Sequence, residues 1–176
     1  MHIKLLTKYY FINTFDTNNL KKQDKETIII FRNYSSSNIK INKLIKLKNF
    51  LRKQGNKFFL ANNFKLALKL GLDGVYIPSF NKNFNHLAYS TFLNFTVVGS
   101  AHNLKEIRIK ELQKAKTIFI SSLFKKNNNY LGLNKFKVLN NYTKKEVVAL
   151  GGISKKNTKK IQLLKIAGIA GISYFK

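Results

Sequence analysis

The chain has 176 residues, 44% of them apolar, with 33 Lys and Arg against 7 Asp and Glu, a formal net charge of +26. That length suits one domain spanning residues 1–176, with a substantial core and little room for a second. With no cysteine, disulfides and thiolate metal centres are excluded, and no stretch approaches the ~20 apolar residues of a membrane span.

The first expected element is a strand at 9–15, a run of aromatic and β-branched residues. A brief polar connection, 16–26, leads to a second strand at 27–31. Residues 39–54 place Ile41, Leu44, Ile45, Leu47 and Leu51 on one helical face, with Gly55 as the stop. A strand at 57–61 precedes a short helix at 64–70, ended by Gly71. Strands at 74–78 and 96–100 follow, then a helix at 104–115. A strand at 116–121, a helix at 133–142 and a strand at 147–151 continue the alternation. Ser154 is a good N-cap for a helix running to Ala167, stopped by Gly168, before a last strand at 169–175.

Each strand is short and continuously apolar, the pattern of strands covered on both faces in a parallel sheet. Eight strands alternating with helices imply right-handed βα units. An open doubly wound sheet and a closed barrel both satisfy this count. No final helix is expected after the eighth strand.

Ligands of such folds sit at the carboxyl ends of the strands. Gly151-Gly152, followed by Ser154 at a helix start, suits a phosphate: glycine lets backbone N–H groups approach an anion closely. The same pair serves equally as a tight turn. Ser100 and His102 follow the fifth strand, as a hydrogen-bond donor and an acid–base group, or as a cap and a loop residue. Asn62 and Asn63 end the third strand, as ligand-holding amides or as the cap of the next helix. Arg32 leaves the second strand, where a guanidinium clamps phosphate. Asp73 belongs to the turn before the fourth strand. No carboxylate pair and no metal-ligand cluster stands out.

The charge suggests nucleic acid first. Only Arg32, Arg52 and Arg108 are arginines, however, and the lysines run along the whole length. They read as solvated surface, and nucleic acid is not the expected partner. The N-terminus has no long apolar run and no small-residue cleavage site, so the cytoplasm is the expected location.

In order and content, four segments resemble the thiamine phosphate synthase and thiazole tautomerase family. They are Phe59 to Asn63 with Leu66 to Pro78, Val98 to Leu104, Phe119 to Phe124 with Leu131-Gly132-Leu133, and Ala149 to Ile153. The resemblance implies an eight-stranded (β/α) TIM barrel, shortened here. It implies a Mg²⁺-assisted enzyme of thiamine biosynthesis: a pyrimidine diphosphate loses diphosphate, and the nitrogen of a phosphorylated thiazole takes the resulting cation. Carried over by position, Arg32 matches the diphosphate-binding Arg, with Ile30 at the family's Gln and Tyr34 at its Lys. Asn62 matches the family Asn, Ser100 the family Ser, and Gly151-Gly152 the thiazole-phosphate turn. Asn63 stands where an Asp binds magnesium, and the second metal Asp falls near Asn81. The family's loop Lys falls near Asn129, with Lys125 and Lys126 close by. Amides bind Mg²⁺ far more weakly than carboxylates. The tautomerase branch needs no metal and moves a proton with the His that matches His102, and Pro78-Ser79 also looks like that branch. The expected ligands are phosphorylated thiazole and pyrimidine molecules. A phosphate-binding module without catalysis is the remaining alternative.

Overall fold

A computed structural model describes residues 6–32 and 41–176. Tyr34 and the first two residues of the 39–54 helix lie outside them.

The eight strands close into a barrel in sequence order: β1 (Thr7–Ile12), β2 (Ile28–Phe31), β3 (Phe58–Ala61), β4 (Gly74–Ile77), β5 (Thr96–Ala101), β6 (Thr117–Ser121), β7 (Glu146–Leu150) and β8 (Gly168–Gly171). Every pairing is parallel, and β8 returns to β1 through Thr7 opposite Gly168. This closure decides between the two architectures that periodicity left open.

Between the strands lie α1 (Thr17–Leu20), α2 (Ile41–Gln54), α3 (Phe64–Lys69), α4 (Leu104–Leu112), α5 (Gly132–Asn141) and α6 (Thr158–Ile161). The 16–26 connection holds the single turn α1, whose N-terminus Asp16 caps by accepting from the N–H groups of Asn18 and Asn19. The helix expected from Ser154 to Ala167 is much shorter. A 3-10 turn at Lys155–Asn157 and the four residues of α6 replace it. Lys155 with Lys159, and Lys156 with Lys160, would stack like charges at i,i+4, which weakens an α-helical first turn where the 3-10 turn stands. Strand β8 also stops early, and among the described residues no helix follows it. Phe175 turns back instead to stack on Tyr10, 5.0 Å between ring centres, and its carbonyl accepts from Gln23 Nε2.

Parallel partners project to the same side, so register sorts the side chains. Tyr9, Phe11, Ile30, Phe59, Tyr76, Val98, Phe119 and Val148 fill the lumen. Their neighbours, among them Ile29, Leu60, Val75 and Ile77, point outward to meet the helices and the longer loops. Aromatic rings do much of the lumen filling. Phe11 meets Tyr76 edge-on at 5.0 Å, and Tyr9 meets Phe119 at 4.7 Å. This packed floor leaves chemistry to the carboxyl rim.

Candidate functional site

Two residues beyond an inward-facing position, the chain faces inward again. Arg32 follows Ile30 and Ser100 follows Val98, so both belong to the lumen series at the rim. Tyr76 joins them. It is fully buried and donates its hydroxyl to Ser100 Oγ at 2.8 Å. Burial pushes its phenol up, while the Tyr76–Ser100 bond and the charge of Arg32 pull the other way. The Arg32 guanidinium carbon lies 5.2 Å from the centre of the Phe11 ring, and Phe11 in turn packs on Tyr76. Arg32, Tyr76 and Ser100 therefore form one polar arc over an aromatic floor. Ser100 accepts from Tyr76, which leaves its own proton for a ligand.

Gly151 and Gly152 lie on the same rim, with φ of 98° and 74°. Both press against the loop after β6. A Cβ on Gly152 would stand 2.6 Å from the backbone nitrogen of Lys125, and one on Gly151 would stand 2.4 Å from Ser122 Oγ. The Gly151 carbonyl accepts from the N–H groups of Phe124 and Lys125, and the Gly152 carbonyl accepts from Asn157 Nδ2. The Lys125 backbone thus lies directly against the glycine turn.

His102 heads α4 with Asn103, whose side chain caps the helix through the N–H of Glu106. One Glu106 oxygen accepts from the His102 backbone N–H at 2.8 Å and lies 2.9 Å from its Nδ1. A carboxylate there favours the tautomer with the proton on Nδ1, which makes Nε2 the acceptor nitrogen. Sequence reasoning missed Glu106. Its signal was the spacing Asn103-x-x-Glu106, that of a capping box.

Asn62, Asn63 and Asn81 gather farther round the same carboxyl rim, beyond the ends of β3 and β4, around a cavity of about 220 Å³ that also meets the outward-facing Val75 and Ile77. Asn81 Nδ2 donates to Asn62 Oδ1 at 2.6 Å, and Asn63 Oδ1 caps α3 by accepting from Leu66 N–H. Among the described residues no three His, Cys, Asp or Glu form a group that would hold a metal. Two carboxylates stand on the rim among those residues. Asp16 caps α1 and Glu106 holds His102. Asp73 lies at the opposite end, accepting from Phe58 N–H. The donors present do not suit Mg²⁺, which wants free carboxylate oxygens.

Beneath this corner is a buried cation that the sequence hides. Lys110 of α4 is fully buried and donates to the carbonyls of Pro78 and Asn81 and to Gln113 Oε1, at 2.7 to 2.9 Å. Gln113 adds bonds to the carbonyls of Asn81 and Asn83. Together they pin the start of the long 78–95 connection.

Comparison with known proteins places this geometry. The family profile described as thiamine monophosphate synthase matches residues 18–175. A thiamine-phosphate synthase of Methanococcus vannielii is 28% identical over 120 residues, which cover 66% of this chain and 58% of that protein. This chain therefore spans little more than half that relative's length. A putative thiamine-phosphate synthase 2 of Aquifex aeolicus is 33% identical over 140 residues, 76% of this chain and 74% of that one. In fold, a thiamine phosphate pyrophosphorylase structure from Pyrococcus furiosus superposes with a TM-score of 0.76 at 23% identity. It covers 95% of this chain and 86% of the other. No described helix is long and apolar enough to cross a membrane.

Proposed function

This chain belongs to the thiamine monophosphate synthase family, and from that premise we propose that it is a cytoplasmic transferase that joins a phosphorylated thiazole to a pyrimidine diphosphate. The observation that carries the reading is the Arg32–Tyr76–Ser100 arc at a rim that also holds the Gly151-Gly152 turn. The turn and Lys125 take the thiazole phosphate. Ser100 donates a hydrogen bond to the bound heterocycle. Arg32 faces the diphosphate as the bond from the pyrimidine's exocyclic carbon to oxygen breaks. The ring nitrogen of the thiazole then forms the new bond to that carbon. Charge develops on the leaving oxygens, and a preformed guanidinium stabilises it without reorganising. No step is assigned to Mg²⁺.

Thiazole phosphate alone should raise the melting temperature of the protein. Arg32→Ala should lower product formation by roughly 10²–10³-fold while lowering the melting temperature of the free protein only slightly, because the side chain is partly exposed at the rim and rests on the Phe11 ring. A wild-type protein that neither binds thiazole phosphate nor forms product would refute the proposal.

One observation favours the tautomerase branch as a second reading: the His102–Glu106 pair is built like an acid–base dyad. If it works on the thiazole, Glu106→Gln should slow isomerisation about 10-fold or more and His102→Ala should abolish it. Equal rates in both variants and wild type would remove His102 from the chemistry.

A further inference from the structure

The cavity between the ends of β3 and β4 carries Asn62, Asn63, Asn81 and Asn83 beside Phe64 and Tyr89, and each of those four amide oxygens already accepts one hydrogen bond. Asn62 Oδ1 accepts from Asn81 Nδ2. Asn63 Oδ1 accepts from Leu66 N–H. Asn81 Oδ1 accepts from Asn83 N–H, and Asn83 Oδ1 from Asn85 N–H. Among the described residues the NH₂ groups of Asn62, Asn63 and Asn83 donate to no protein acceptor, so each keeps two N–H donors for a ligand, whereas the neutral oxygens offer a cation only a weak remaining lone pair. Lys65 lines the same cavity. An amide nitrogen cannot ligate a cation but donates readily to an oxyanion. Among the described residues no carboxylate lines this cavity, and the two on the rim serve Asn18, Asn19, Asn103 and His102.

We infer that this corner holds a phosphate-class oxyanion directly, through amide N–H groups and Lys65, with no divalent ion between. The inference rests on the family reading only in taking a diphosphate as the ligand. Lys110 and Gln113 support the corner from behind. They fix the Asn81 and Asn83 carbonyls, and so the loop on which those two amides stand. The fully buried ammonium also adds a positive charge behind the cavity.

Inorganic pyrophosphate is the probe, with binding read by calorimetry and thermal shift on the full chain. The wild-type protein should bind it equally well in EDTA and in excess Mg²⁺. Binding that requires Mg²⁺ overturns the inference. The double variant Asn63→Asp/Asn81→Asp places carboxylates where the anion would sit. The carboxylate introduced at position 63 remains a good helix cap, and the one introduced at position 81 still accepts from Asn83 N–H. In EDTA the pyrophosphate affinity of this variant should fall at least about 10-fold from like-charge repulsion. Affinity unchanged in that variant also overturns the inference, because the anion then lies elsewhere. If pyrophosphate fails to bind under either condition while thiazole phosphate still stabilises the protein, the metal-free corner is wrong and the family function survives. If both fail, the function falls with it.

Discussion

Lys110→Ala should destabilise the protein by at least about 3 kcal/mol, far more than substitution of any other described lysine. The change removes a fully buried four-carbon stem that fills the space beside Gly99, where a Cβ would meet Lys110 Cδ at 2.7 Å. It also leaves the Pro78 carbonyl and Gln113 Oε1 without the donor that satisfied them. Lys110→Met keeps the stem and should cost about half as much. The pH response separates charge from packing. Burial pulls the ammonium down to about 8, against the opposing charge of Glu106, whereas the unfolded chain keeps the ordinary 10.5. Between those values the unfolded chain binds more protons, so stability contributed by this site rises with pH across the window. Denaturant melts at about pH 8 and pH 10 should show that rise in wild type and not in Lys110→Met. An identical pH slope in both would mean that Lys110 is not buried as a cation.

Gly152→Ala should abolish thiazole phosphate binding and cost at least about 2 kcal/mol of stability. Two penalties coincide. A φ of 74° is a conformation that L side chains adopt at a cost of about 1–2 kcal/mol. The new methyl would also press on the Lys125 nitrogen at 2.6 Å and the Phe124 carbonyl carbon at 2.9 Å. These are backbone atoms, so relief requires the 122–125 loop to move away from the turn. Gly171→Ala on the same rim is the control. Its Cβ would find only Ile153 Cβ, at an ordinary 3.9 Å, and its φ is not positive. Thermal melts with and without thiazole phosphate read both effects. A Gly152→Ala protein that binds as wild type would remove the turn from the site.

The eight strands were legible because burial on both faces turns each into an apolar run. Their ends were not. Phe15 extends the apolar run of β1 in sequence, yet the ladder ends at Ile12 and Phe15 packs on Phe50 instead. Pairing length is set by the neighbouring strand, which a local pattern does not contain. Rim residues such as Arg32 and Ser100 follow from strand ends alone. Tyr76 was also within reach, since it shares the inward series of Gly74, but its bond to Ser100 joins positions 24 apart in sequence. Lys110 was out of reach. Among so many solvated lysines nothing marks it, and its acceptors lie 29 and 32 residues earlier. Asn63 offered two roles, and the one visible in the geometry is the local one, since a cap needs only its own helix.

The way the rim's carboxylates are spent has a kinetic consequence. Asp16 and Glu106 are held at helix starts, whose positive ends partly offset their charge, and the rim also carries Arg32, Lys65 and Lys125, so cations outnumber carboxylates there among the described residues. If phosphorylated molecules are the ligands, as proposed, this charge should draw them in before any contact forms and speed their encounter. That advantage fades once mobile ions shorten the reach of the field to about 8 Å at physiological ionic strength. Stopped-flow capture of thiazole phosphate should therefore slow steeply with added salt, while its escape rate barely changes.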